Sequence, residues 1–113
     1  MAVSRFDVLD GAGAFSPPST GEATHFAEHL RWDTLSVGTY SIPAGGRDDQ
    51  GPHAEDEVYV VTGGRARITV GGRAVDLRPG AVVAVPARAE HRFHDIEEDL
   101  SLLVFFAPPY SGD

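Results

Sequence analysis

Residues 65–70, RARITV, alternate without a break, with Ala66, Ile68 and Val70 on one face and Arg65, Arg67 and Thr69 on the other. A period of two belongs to a strand with one buried face, because successive side chains of extended backbone point to opposite sides. Gly71 and Gly72 follow, and then RAVDL. Paired glycines accept the positive φ values of a two-residue hairpin, so these strands are expected to be antiparallel neighbours. Pro79-Gly80 marks another turn, after which residues 81–85, AVVAV, read as a strand buried on both faces. HRFHDI and LSLLVFFAP read as two further strands parted by an acidic turn at residues 97–99. With VYVV ahead of Gly63-Gly64 and one or two strands between His25 and Ile42, the pattern predicts an all-β barrel or sandwich.

At 113 residues the chain is one domain's worth. Residues 1–22, rich in Gly, Ser and Pro, read as an N-terminal arm, residues 23–108 as the domain, and residues 109–113 as a tail. LSLLVFFA is apolar on both faces, and a second subunit is the simplest cover for the outer one, so a homodimer is expected. The absence of cysteine excludes disulfides, thiolate metal sites and cysteine nucleophiles, and favours the cytoplasm. A formal charge of -8 repels phosphate backbones and anionic lipid surfaces, which argues against nucleic acid and membrane partners. No apolar run approaches the length of a membrane span. The acidic runs AEDE and EED, and Asp48 with Asp49, read as solvated loop, Glu57 excepted.

His53 precedes Glu57 by four residues, just before VYVVTGG. Four residues of straight strand span roughly 13 Å, too far for both side chains to reach one ion. His53 is therefore expected on a loop that bends back, which Pro52 and AGGRDDQG supply. Glu57 then opens the strand on the face shared with Tyr59 and Val61, and if that face is the core it needs a partner. His91 opens a later strand after Pro86, and alternation puts His91 and Phe93 inward, with Arg92 and His94 on the other side. The three side chains form either a metal site or a buried polar network.

HAEDEVYVVTGG and GAVVAVPARAEHRFHD resemble the two motifs of the cupins, small double-stranded β-helix (jelly-roll) proteins. The first cupin motif runs G, five residues, H-x-H, three or four residues, E, six residues, G; the second runs G, five residues, P-x-G, two residues, H, three residues, N. His53, Glu57 and Gly64 match the latter part of the first, and Gly80, Pro86, His91 and position 95 match the second. Three positions depart: Gly51 stands where the family has its first histidine, Arg88 replaces the motif glycine and Asp95 the final asparagine.

The resemblance implies His53, Glu57 and His91 as ligands of a divalent transition metal, Fe, Mn, Ni, Cu or Zn, in a 2-His-1-carboxylate set with open positions. Gln50, one residue before Gly51, is the candidate to reach in through its amide oxygen. The implied function is a small-molecule metalloenzyme of dioxygenase-like oxidoreductase type, with a metal-dependent isomerase or cyclase, or a non-catalytic ligand-binding or sensing cupin, as alternatives. Catalytic residues are not assigned. Arg88 beside His91 offers a charged fork to an anionic substrate or forms a surface salt bridge. His25, His29 and His94 read as structural, and Tyr59, Trp32, Tyr40, Phe93 and Phe105 as core or interface filling.

Overall fold

The computed structural model describes residues 6–112. It contains six strands: β1 (His25–Arg31), β2 (Ser36–Ile42), β3 (Asp56–Val70), β4 (Arg73–Leu77), β5 (Val82–Val85) and β6 (His91–Ala107). The described residues form no helix, and none could cross a membrane as one. All pairings are antiparallel, in the order β1-β2-β6-β3-β4, with β5 on the leading half of β3. The long strands β3 and β6 pair with each other from end to end, so the two halves of the jelly roll share one hydrogen-bonded ladder. Register shifts between Val61 and Arg67 let that ladder bend.

The hairpin between β3 and β4 has the expected glycine turn, with φ of 56° at Gly71 and 82° at Gly72, and Val70 opposite Arg73. Residues 63–64 do not end a strand as expected; β3 runs through them. Gly64 sits at φ 89° where a Cβ would overlap the backbone carbonyl of Asp99, so the two long strands cross too closely for any side chain. The acidic turn expected at residues 97–99 is likewise part of β6. Its three acids are all exposed, and Arg65 lies across from Glu98 and 3.7 Å from Glu97, so solvent and a cation accommodate them in extended backbone.

The inner faces contribute Tyr40, Ile42, Tyr59, Val61, Ile68, Phe93, Leu100, Leu102, Val104 and Phe106 to a single core. Each large apolar side chain fully buried contributes about 1.5–3 kcal/mol. Alternation in RARITV holds: Ala66 and Ile68 are buried and Arg65 is exposed. β5 corrects an expectation, since Val82 is 63% exposed and Ala84 also faces solvent. The strand pairs only with β3, and its outer side has no cover among the described residues.

β2 is buried at every position because the chain's own arm crosses its outside. Gly13 donates its N–H to Thr39 Oγ1 (2.8 Å) and accepts from Thr62 Oγ1 (2.5 Å), and Ser16 N–H donates to Ser41 Oγ (3.1 Å). Part of the face expected against a second subunit is thus covered from within. Residues 1–5 of the arm and Asp113 of the tail lie outside the described residues.

Candidate metal centre

The loop before β3 is built around a carboxylate that sequence reading had placed in solvent. Asp48 is buried and accepts hydrogen bonds from the Tyr40 hydroxyl (2.6 Å), the Phe93 N–H (3.1 Å) and the Gln50 N–H (3.2 Å). A buried carboxylate with three donors is well compensated for burial. It ties the loop to β2 and β6 at the point where Gln50 turns inward. Further on, the His53 carbonyl accepts from the Arg88 N–H (2.7 Å), which fixes the bend that brings His53 back over β3.

Glu57 is the second residue of β3 and His91 the first of β6, both on inward faces as alternation required. With His53 they form a cluster whose candidate donor atoms lie within 4.8 Å of one another, all three residues buried. His53 Nε2 is 3.8 Å from Glu57 Oε2, and His91 Nε2 is 3.5 Å from Glu57 Oε1. Two ligands of one ion, each bonded at roughly 2.0–2.2 Å, stand about 3–4 Å apart, so these separations suit a shared cation. Gln50 Oε1 is 3.1 Å from His53 Nε2, at the edge of the cluster.

His91 Nδ1 lies 3.0 Å from the Ala89 carbonyl, which can only accept, so Nδ1 carries a proton toward it and Nε2 is turned toward Tyr59 and Glu57. The Tyr59 hydroxyl lies 2.5 Å from Glu57 Oε2 and 2.9 Å from His91 Nε2. The hydroxyl thus bridges Glu57 and His91. Burial raises the Glu57 pKa above its ordinary value of 4.5, opposed by the Tyr59 hydrogen bond and by the two histidines. Burial, followed by the Glu57 charge, pushes the Tyr59 phenol well above its ordinary range. Two imidazoles and a carboxylate buried together are chemically suited to a cation.

Around this polar centre the wall is aromatic. The His53 ring meets Phe106 and Tyr110 edge-on, both at 5.4 Å, and Tyr110 stacks on Phe106 at 4.7 Å. The space among Phe26, Tyr40, Gln50, Tyr59, Phe106 and Tyr110 is only about 10 Å³. An open groove of about 550 Å³ runs along Thr69, Glu90 and His94 and touches His91 but neither His53 nor Glu57.

Sequence reading brought His53, Glu57, His91 and Gln50 to one place, and they are together. It assigned Tyr59 to core filling, although its position two residues after Glu57 on the same face carried the signal. Glu55 was read as solvated and is 3% exposed, on the inward phase shared by Glu57 and Tyr59. Tyr110 lay in the tail, with no spacing to single it out. His94 is structural, 2.7 Å from Thr69 Oγ1 and 3.0 Å from Asp95, and His29 lies 2.6 Å from Thr39 Oγ1.

The Cupin domain family matches residues 38–106, and the chain belongs to that family. A relative, the uncharacterized protein SCO3923 of Streptomyces coelicolor, is 51% identical over 111 residues, covering 98% of this chain and 100% of the relative. Among solved structures, KdgF from Halomonas sp. superposes with a TM-score of 0.73 at 16% identity, covering 83% of this chain and 86% of its own. Salicylate 1,2-dioxygenase from Pseudoaminobacter salicylatoxidans, in adducts with gentisate, has a TM-score of 0.71 at 16% identity, covering 80% of this chain and 26% of its own. At such identities these two report the shared fold alone. Two departures from the cupin motifs now have a physical setting: Arg88 (φ 68°) and Asp95 (φ 50°) both occupy left-handed backbone, where glycine and asparagine are the undemanding residues.

Proposed function

We propose that this cupin holds a divalent first-row transition ion on His53, Glu57 and His91, with Gln50 as a fourth ligand, and carries out dioxygenase-type oxidation of a small molecule. The observation that carries the reading is the buried cluster itself: His53, Glu57 and His91 bring their candidate donor atoms within 4.8 Å of one another. When bound, such an ion supplies Lewis-acid and redox chemistry toward substrate oxygen and dioxygen. The chain's own residues set its surroundings. Ala89 orients the His91 ring, Tyr59 orients Glu57, Asp48 holds the Gln50 loop, and Phe26, Phe106 and Tyr110 exclude water.

In the same reading the substrate is a small molecule, the protein is cytoplasmic, and a second copy pairs over the outer face that includes the exposed Val82. The test is elemental analysis of untagged protein prepared without chelator, followed by oxygen-uptake assays. Near-stoichiometric Fe, Mn, Ni, Cu or Zn that disappears in His91→Ala is the expected result. Stoichiometric metal retained by His91→Ala removes the ligand assignment.

The second reading, a ligand-binding or sensing cupin without catalysis, is favoured by one observation: Gly51 leaves the family's first-histidine position without a side chain. Protein that refuses added metal but binds a small ligand selects it. Metal uptake with a redox-neutral conversion selects an isomerase or cyclase.

A further inference from the structure

The tail after β6 is strapped across the end of the barrel that contains the candidate centre. Tyr110 N–H donates to Ser36 Oγ (2.9 Å), Tyr110 carbonyl accepts from Arg31 (2.8 Å), and the Ser111 hydroxyl donates to Glu55 Oε2 (2.6 Å). Between these anchors the Tyr110 ring lies nearly parallel to Phe106 (4.7 Å, 27°) and edge-on to Phe26 (5.7 Å) and His53 (5.4 Å). The ring fills a flat slot with aromatic walls. With it in place about 10 Å³ remains beside Tyr59 and Gln50, room for no more than one water.

Beneath the strap lies a carboxylate that the rest of the protein leaves half satisfied. Glu55 is 3% exposed, and its Oε1 has no hydrogen-bond partner among the described residues. Its other oxygen is bonded by Ser111, part of the strap itself. A buried carboxylate oxygen without a donor carries an uncompensated desolvation cost, a penalty a folded chain retains where a ligand or switch uses it. When the strap lifts, Glu55 Oε2 loses its donor as well and the slot empties.

We propose that residues 108–111 form a lid and that Tyr110 holds the place of the substrate, which is a small planar aromatic molecule bearing a hydroxyl or amine donor. The ligand ring replaces the Tyr110 ring between Phe106 and Phe26, and its donor bonds Glu55. This deepens the proposed function, because the slot adjoins His53 and Tyr59, but the lid and slot consist of side chains that need no metal. The strap's bond to Arg31 is on the exposed rim, and its lifting also breaks the bonds to Ser36 and Glu55 and unstacks Tyr110 from Phe106.

The test uses metal-stripped full-length protein with phenol as probe and cyclohexanol as the non-planar control, read by calorimetry. Wild type spends most of its time closed, so Tyr110→Ala is expected to bind phenol about tenfold or more tighter than wild type. Equal affinities in the two proteins, or cyclohexanol bound as tightly as phenol, overturn the proposal. In the Tyr110→Ala background, Glu55→Gln is expected to reduce the preference for phenol over toluene about fivefold. An unchanged preference removes Glu55 from the site.

Hydrogen exchange on wild type provides the measurement that needs no variant. Saturating phenol should speed exchange of the Tyr110 amide, and unaltered protection overturns the lid. Mn²⁺ titration of the same preparation is scored separately. Phenol results as expected with no Mn²⁺ uptake keep the lid and reject the metal centre; the reverse pair keeps the metal centre and rejects the lid.

Discussion

The amide of Arg88 donates to the carbonyl of His53 at 2.7 Å, and it does so from left-handed backbone at φ 68°. One hydrogen bond thus joins the loop that delivers the first histidine to the loop that delivers the second. A side chain at such a φ costs about 1–2 kcal/mol, which glycine avoids at the cost of about 0.5–1 kcal/mol of extra unfolded-state entropy. Arg88→Gly should therefore raise stability by about 0.5–1 kcal/mol. Arg88→Pro, which lacks the donor and fixes φ near -65°, should lower it and weaken metal uptake. Denaturant midpoints read the first effect; a destabilised glycine variant contradicts the strain argument.

Tyr59 tests whether the hydroxyl is a stand-in for a cation or a ligand of one. Tyr59→Phe leaves Glu57 buried without its closest donor and should cost the metal-free protein about 1–3 kcal/mol. Stoichiometric Mn²⁺ uptake should survive in this variant. Loss of uptake equal to that in His91→Ala would make Tyr59 a ligand.

Gly51 is the position where a fourth ligand can be restored. A Cβ built there meets nothing within 4 Å, and its φ lies outside the left-handed region. Gly51→His should fold as wild type and bind Mn²⁺ or Zn²⁺ about tenfold or more tightly, a gain of about 1.4 kcal/mol. Calorimetric titration measures it; unchanged affinity would mean that the loop holds position 51 away from the centre.

The pH dependence of the metal-free protein follows from three raised groups. The Glu57 carboxyl holds its proton more firmly folded than unfolded, so this group makes stability fall as pH rises above 4.5, by at most about 1.4 kcal/mol per unit. Glu57→Gln removes that slope, and the stability gap between the variant and wild type should widen from pH 4.5 toward neutrality. Tyr40 and Tyr59 act with the same sign at higher pH: burial raises both above 10.0, so the fold weakens as pH passes that value and unfolded phenols ionise. Urea midpoints across pH test both windows, and a gap that narrows with rising pH refutes the assignment to Glu57.

Much of this was legible in the residues. Alternation in RARITV, the Gly71-Gly72 turn and the inward phase of Glu57, His91 and Phe93 depend on local chemistry, and local chemistry is what a sequence displays. The errors have a common origin in long-range contact. Asp48 and Glu55 read as solvated because the Phe93 amide and Ser111, which bond them, come from a strand and a tail far along the chain, while the nearer partner, Tyr40, is brought over Asp48 only by the fold of the loop between them. Glu97, Glu98 and Asp99 read as a turn because acids disfavour strands, yet they lie on the solvent side of β6, with Arg65 across from Glu98. AVVAV read as doubly buried because hydrophobicity does not reveal which strand is at an edge. Tyr110 was invisible for the plainest reason: a tail's path cannot be deduced from its composition.

The end-to-end pairing of β3 with β6 also has a kinetic meaning. The ladder puts Glu57 opposite Phe106 at one end and His91 opposite Val70 at the other, and its bend brings the two ends together, so the pocket is complete only once this non-local zipper has closed. An ion that binds the finished pocket arrives after the slow step. Added metal should leave the refolding rate where it was and lengthen the lifetime of the native state, acting as a latch on a door that has already shut.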